Sequence, residues 1–364
     1  MKSMQYDSLI MGSSPLMLLE AIYQTIANKK VIVVDKSDVL GGAWYLLDFF
    51  EHKDVESGCH IWYRDRVVHQ FFKESLGLDL QEYSPQPQVI VDKKRYFYKF
   101  KTIKNLKSSI MKFEKPSKIY RDFRSVIEES SIVSKYYYPR RGSVELMQKL
   151  FFILEKLNIE VRKNTEVKKI KLNEEEAIVT LDNNEQINCK EVVAASHSEL
   201  GEVHYQDKVE IIKNNRENSN FNIHILIEGI SNRAFSYIHV FGNEYLIRLG
   251  DLSFQLNKGS NNMLICVQIT SQLFKKFGES EKTVQVALDE LKNQQLIPSD
   301  AKLLKFKFSN YTCQYRNFEE TSFVEKKLGP LVRFVNTINL TYSIRRELDR
   351  WTELDKNNVI KSFN

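Results

Sequence analysis

Tyr6-Asp7-Ser8-Leu9-Ile10-Met11-Gly12-Ser13-Ser14-Pro15-Leu16-Met17, followed one helix later by Val31-Ile32-Val33-Val34-Asp35, decides the fold of this chain. Residues 6–11 read as a short buried strand, and Gly12 opens a tight turn. From Leu16 to Ala27 the apolar residues Leu16, Leu19, Ile22, Tyr23 and Ile26 recur at helical spacing. The β-branched run Val31–Val34 is typical of a buried parallel strand, and Asp35 stands at its end. Strand, turn, helix, strand, acid is the order of a dinucleotide-binding βαβ unit.

The physical logic of such a unit is local. A helix N-terminus presents free backbone N–H groups to a pyrophosphate, and glycines let the backbone come close. An acid about twenty residues on accepts hydrogen bonds from the adenosine ribose; Asp35 lies 23 residues beyond Gly12. Of the three fingerprint glycines only Gly12 is present, with Ser14 and Met17 at the other two positions. Methionine at the third is expected to push the helix away from the strand, since that glycine serves close packing.

The continuation Asp35-Lys36-Ser37-Asp38-Val39-Leu40-Gly41-Gly42-Ala43-Trp44 places a Gly-Gly pair just past the acid. Here the chain resembles the flavoprotein class containing the amine oxidases, protoporphyrinogen oxidase, phytoene desaturase and UDP-galactopyranose mutase. The resemblance implies FAD as cofactor, held by Gly12, Ser14, Pro15, Asp35, Lys36, Gly41, Gly42, Ala43 and Trp44. The class often has arginine after the glycine pair, where this chain has Ala43. Val55-Glu56-Ser57-Gly58-Cys59-His60-Ile61-Trp62 looks like the acidic-x-Gly-x-His stretch of the same class, closest to the sugar mutases. There the histidine lies near the isoalloxazine, which makes His60 the catalytic candidate, with Tyr63 a further residue that could face the flavin.

A second resemblance lies at Tyr136-Tyr137-Tyr138-Pro139-Arg140-Arg141-Gly142-Ser143, similar to the aromatic-Pro-x-x-Gly-Ser/Gly segment that leads into a helix. The spacing predicts a helix from Ser143 to Leu157 with Ser143 as N-cap. In the class, the valine matching Val167 meets the adenine through its backbone. A hairpin is expected over Ala177–Leu181 and Gln186–Cys189, then a buried strand through Val192-Val193-Ala194-Ala195-Ser196.

Other stretches carry less. Lys94-Arg95-Tyr96-Phe97-Tyr98-Lys99-Phe100-Lys101 interleaves basic and aromatic residues, but no RNA-binding signature accompanies it. It reads as a strand with a solvated outer face, or, with Lys112, Lys115 and Lys118, as a rim for an anionic substrate. Phe221–Glu228, Tyr237–Leu249 and Met263–Thr270 read as strands and Lys282–Leu291 as a helix. Arg248 either pairs with a buried acid or faces a ligand. The closing segment Leu331–Leu340 lacks the glycine motif with which the class caps its cofactor; a helix near Thr341 carries Arg345 and Arg346.

The expected architecture is α/β: a Rossmann-like FAD-binding domain (1–75, 136–205 and 326–364) with an inserted mixed α+β substrate domain (76–135 and 206–325). Hydrophobic residues make up 42% of the 364 and charged residues 27%, ordinary values for a globular protein. A net charge of +6 suits an anionic ligand without demanding one. Cys59, Cys189, Cys266 and Cys313 lack metal or redox spacing and read as structural thiols, so no metal is expected. No apolar run is long enough to span a bilayer and no secretory signal is evident, which points to a cytoplasmic protein without a membrane segment or nucleic-acid partner. Three functions stay open: an FAD-dependent oxidoreductase on a small molecule, a mutase-like non-redox flavoenzyme on an anionic sugar, and a binding or scaffold protein that keeps the fold.

Overall fold

The computed structural model describes residues 4–364 except 59, 61, 63–64, 84–87, 92–93, 98–135, 197, 207, 213–215, 230–236, 242, 257–260, 316–317 and 338–339. Cys59, Tyr63 and the segment from Tyr98 to Lys118 therefore lie outside the described residues, as does the side chain of Cys313.

The βαβ unit forms as its pattern requires. Strand β1 (Met4–Met11) leads through the Gly12 turn into helix α1 (Pro15–Ile26), and strand β2 (Val31–Val34) returns parallel to β1. Proline at the first helical position suits α1, because its missing N–H would have no intrahelical acceptor there. Strand Glu160–Arg162 adds parallel to β2, strand Gln186–Ala195 parallel to β1, and Val332–Val335 parallel to the second half of Gln186–Ala195. The five parallel strands thus lie in spatial order 3-2-1-4-5, the doubly wound order, whose direction reverses beside β1.

Each face of this sheet has its own core, which is why β2 is apolar throughout. Val31 and Val33 join Ile10, Val193 and residues of α1 and of helices Ser143–Lys156 and Leu340–Leu354 on one side. Ile32 and Val34 join Leu9, Val192 and the antiparallel strands Val167–Leu172 and Ala177–Leu181 on the other. Met17 is wholly buried in the first core, where α1 packs on β1 and β2, and it also borders a cavity beyond the carboxyl ends of the strands. One continuous strand, Gln186–Ala195, serves both as hairpin partner of Ala177–Leu181 and as the parallel neighbour of β1.

A buried ion cluster ties α1 to the C-terminus. Glu20, with no exposed surface, receives hydrogen bonds from Arg333, Arg350, Trp351 Nε1 (2.9 Å) and Gln24 Nε2 (2.7 Å). Burial alone would raise its pKa, but the two guanidinium groups outweigh it and hold the carboxyl at about 2.

A second, eight-stranded sheet contains Arg216–Glu228, Asn262–Ile269 and Leu303–Phe308, with helices Ser271–Phe277 and Glu281–Asn293 on one face. The hairpin Leu46–Phe49 and His52–Glu56 covers the other face through Leu47, Phe49 and Val55. The single strand expected over Tyr237–Leu249 is instead two, Tyr237–Phe241 and Leu246–Asp251. Asn243 Oδ1 accepts the N–H groups of Tyr245 and Leu246 and turns the chain between them.

Candidate functional site

Ligands of doubly wound sheets bind beyond the carboxyl ends of the strands, at the point where strand order reverses. A cavity of about 670 Å³ opens there, past Met11, Val34 and Ala195. Of the residues singled out from the sequence, Gly12, Ser14, Asp35, Lys36, Gly42 and Val167 line it. Pro15, Gly41, Ala43, Trp44 and His60 do not. Sequence reading missed Ser13, Tyr45, Thr165, Asn310 and Tyr311, which also line it. The last two come from the connection after Leu303–Phe308, where no residue pattern signalled a site.

Backbone geometry explains the glycines. Gly12 has φ +101° and open space where a side chain would stand, so the turn faces the cavity bare. Gly41, at φ +120°, leaves no room: an added Cβ would lie 2.8 Å from Tyr45 Cα. An added Cβ on Gly42 would sit 3.3 Å from Ser14 Cβ, so the glycine pair is seated against the β1–α1 turn. Ser14 Oγ, at the N-cap of α1, is shielded from solvent without a hydrogen-bond partner among the described residues. Asp35 is fixed at both ends of its carboxylate, by Ser13 Oγ on Oδ2 and by Ser37 N–H on Oδ1 at 2.8 Å. Its main chain is pinned as well: Asp35 N–H donates to Arg162 O and Thr165 N–H donates to Asp35 O, each at 2.9 Å.

Beyond Ala43, the Trp44 indole stacks on the His60 imidazole, with ring centres 3.9 Å apart and planes 12° from parallel. His60 Nε2 is shielded and makes no hydrogen bond among the described residues. Burial, with the charge of Arg248 adding to it, lowers the His60 pKa to about 3, so the ring is neutral near pH 7.

Glu56, 1% exposed, anchors the stretch that carries His60. Tyr138 OH donates to Oε2 at 2.7 Å and Ser143 N–H to Oε1 at 2.6 Å. The N-cap of that helix is Gly142 at φ +89°, one residue earlier than the sequence suggests, and the Glu56 carboxyl takes the otherwise unsatisfied N–H of Ser143 in the first turn. Gly142 can be nothing larger, since its Cβ would fall 2.2 Å from Glu56 Oε1. Burial raises the Glu56 carboxyl to about 7, against the pull of these two donors. Its carbonyl oxygen accepts from buried His224 Nε2 at 2.7 Å, and Ser309 Oγ lies 3.0 Å from both His224 Nδ1 and Ser57 O. The second sheet is thereby bonded to the strand that leads to His60.

Among the described residues no group of three His, Cys, Asp or Glu could hold a metal ion, and no helix is long and apolar enough to cross a membrane. Cys189 and Cys266 are buried and lie in no disulfide.

No family model and no curated protein sequence matches the chain. Solved structures do match it over their whole length. A putrescine oxidase bound to putrescine superimposes with a TM-score of 0.67 at 14% identity, covering 97% of this chain and 99% of the oxidase. A protoporphyrinogen oxidase-like protein from Exiguobacterium sp. gives 0.64 at 10% identity, with 99% of each chain covered. Reduced UDP-galactopyranose mutase gives 0.68 at 11% identity, over 98% of this chain and 97% of the mutase. These are groups that the sequence resemblance named. At such identities the likeness establishes a shared fold.

Proposed function

We propose that this chain is an FAD-binding flavoprotein acting as an oxidoreductase on a small molecule. The observation that carries the reading is the convergence of Gly12, Ser14, Asp35, Lys36, Gly42 and Val167, from distant stretches of sequence, on one cavity. The residues fit the group. The cavity volume falls in the usual range for ligand pockets, about 300–1,000 Å³. Bare backbone at Gly12, the unpartnered Ser14 hydroxyl and the N-terminus of α1 offer donors to a pyrophosphate. Asp35 would take the ribose hydroxyls and Val167 the adenine. When bound, FAD supplies the hydride or electron chemistry, and the protein supplies orientation and exclusion of water. Neutral His60 offers one N–H and one lone pair rather than an acidic imidazolium proton, so its part is to hold a partner at Nε2. The second sheet, with 76–135, is read as the inserted substrate-binding part.

The mutase-like reading is favoured by one observation, the His60 ring held flat against Trp44 next to the Gly-Gly turn. It shares the cofactor and differs in substrate. The test common to both is the visible spectrum of the purified protein, with identification of any chromophore released on denaturation. A yellow protein releasing FAD at about one per chain is expected. A colourless protein that also fails to bind added FAD would overturn both readings and leave the fold as a binding or scaffold module.

A further inference from the structure

Ser13 occupies a position that the dinucleotide fingerprint leaves open to any residue. In this chain its side chain is 1% exposed and its hydroxyl is used twice. It donates to Asp35 Oδ2 and accepts the Gly41 N–H at 2.9 Å. The directions are forced, because a carboxylate has no proton to give and a backbone N–H can only donate. With Ser37 N–H on the other oxygen, the Asp35 carboxylate is held between two donors. Lone pairs remain on both oxygens for ribose hydroxyls. The same hydroxyl fixes Gly41, whose φ of +120° turns its N–H toward Ser13 and whose neighbour Gly42 abuts Ser14. One atom therefore joins the β1–α1 turn, the end of β2 and the Gly-Gly turn.

We propose that Ser13 is a positioning residue that couples the two halves of the dinucleotide site, holding Asp35 for the adenosine ribose and the Gly41–Gly42 turn for the rest of the cofactor. The inference rests on the flavoprotein reading above. Removing the hydroxyl frees the carboxylate to rotate and releases the Gly-Gly turn together, so the loss extends beyond the ribose.

The experiment titrates ADP and FAD calorimetrically into the parent chain, Ser13→Ala, Asp35→Ala and the double variant, with circular dichroism confirming the fold. Ser13→Ala is expected to weaken ADP about ten-fold, the loss of one charge-assisted hydrogen bond's worth of positioning, and to weaken FAD by a larger factor. The double variant is expected to bind ADP no more weakly than Asp35→Ala, because Ser13 acts on ADP through Asp35. A merely structural serine would weaken ADP and FAD by the same factor. Unchanged ADP affinity in Ser13→Ala, equal losses for the two ligands, or losses that multiply in the double variant would each overturn the proposal. If Ser13→Ala does not fold, Ser13→Cys, similar in size with a weaker donor, carries the same comparison. A parent that binds neither ligand removes the flavoprotein reading and this inference with it; a parent that binds both while the Ser13 variants bind equally well removes the inference alone.

Discussion

Glu20 and Glu56 are both essentially without exposed surface, yet the first carboxyl is held down at about 2 and the second is pushed up to about 7. Glu20 meets two arginines that arrive from the last forty residues of the chain. Glu56 meets a phenol and a helix N-terminus, and no cation among the described residues bonds to it. Burial pushes both carboxyls toward the neutral form, so the difference lies wholly in the partners. An arginine pair makes a buried carboxylate a structural tie. Neutral donors make it a group whose charge can change inside the fold, one step along the chain from the stretch that carries His60.

Three substitutions test this contrast, in decreasing order of effect. Glu20→Gln leaves Arg333 and Arg350 facing a neutral amide and is expected to cost about 3 kcal/mol, read by urea unfolding at pH 7. Because the Glu20 pKa is depressed, its contribution is present above pH 4.5 and lost as pH falls toward 2. The variant should therefore unfold less steeply with acid than the parent; equal stability at pH 7 would remove the tie. Glu56→Gln works in the opposite direction. The Glu56 pKa is raised, so the native state binds the extra proton between about 4.5 and 7 and stability from this group falls as pH rises through that window. The full swing is about 3 kcal/mol, and burial of the carboxylate is its cause. Glu56→Gln should flatten the pH dependence between 5 and 7.5 and gain on the parent at pH 8. An unchanged slope would mean that Glu56 ionises as an ordinary carboxyl. Tyr138→Phe has the smallest expected effect, about 1 kcal/mol for one hydrogen bond. It removes a donor that favours the ionised form, so the carboxyl titration seen by carbon NMR should move above 7. A downward move would contradict the assigned role of Tyr138.

Much of the fold was legible because its signals are local. Strand β1, the Gly12 turn, α1, the Val31–Val34 run and Asp35 lie within one short stretch, and each constrains its neighbours. The turn at Asn243 had a local signal too, Gly242-Asn243, and the apolar residues on either side outweighed it. The site was legible where a glycine or an acid marked the backbone, at Gly12, Asp35, Gly42 and, through the resemblance, Val167. It was not legible where the property belongs to a meeting of distant residues. Glu56 owes its raised pKa to burial under elements distant in sequence, against donors that come from 82 and 87 residues away. Asn310 and Tyr311 enter the cavity from the second sheet with no pattern of their own. Met17, a departure from the fingerprint, belongs at once to the apolar core and to the cavity wall.

The 3-2-1-4-5 order of the parallel strands also governs how the chain can be made. Strand Val332–Val335 and helix Leu340–Leu354 complete a sheet that begins at Met4, and everything between must be threaded through before they arrive. On the ribosome, the first half emerges with the Trp351 side of its core still open and with Glu20 lacking both arginines. A lone buried carboxylate is costly, so this region closes only once Arg333 and Arg350 have been made. Helix Leu340–Leu354 is in that sense a latch on the helix that bears Glu20.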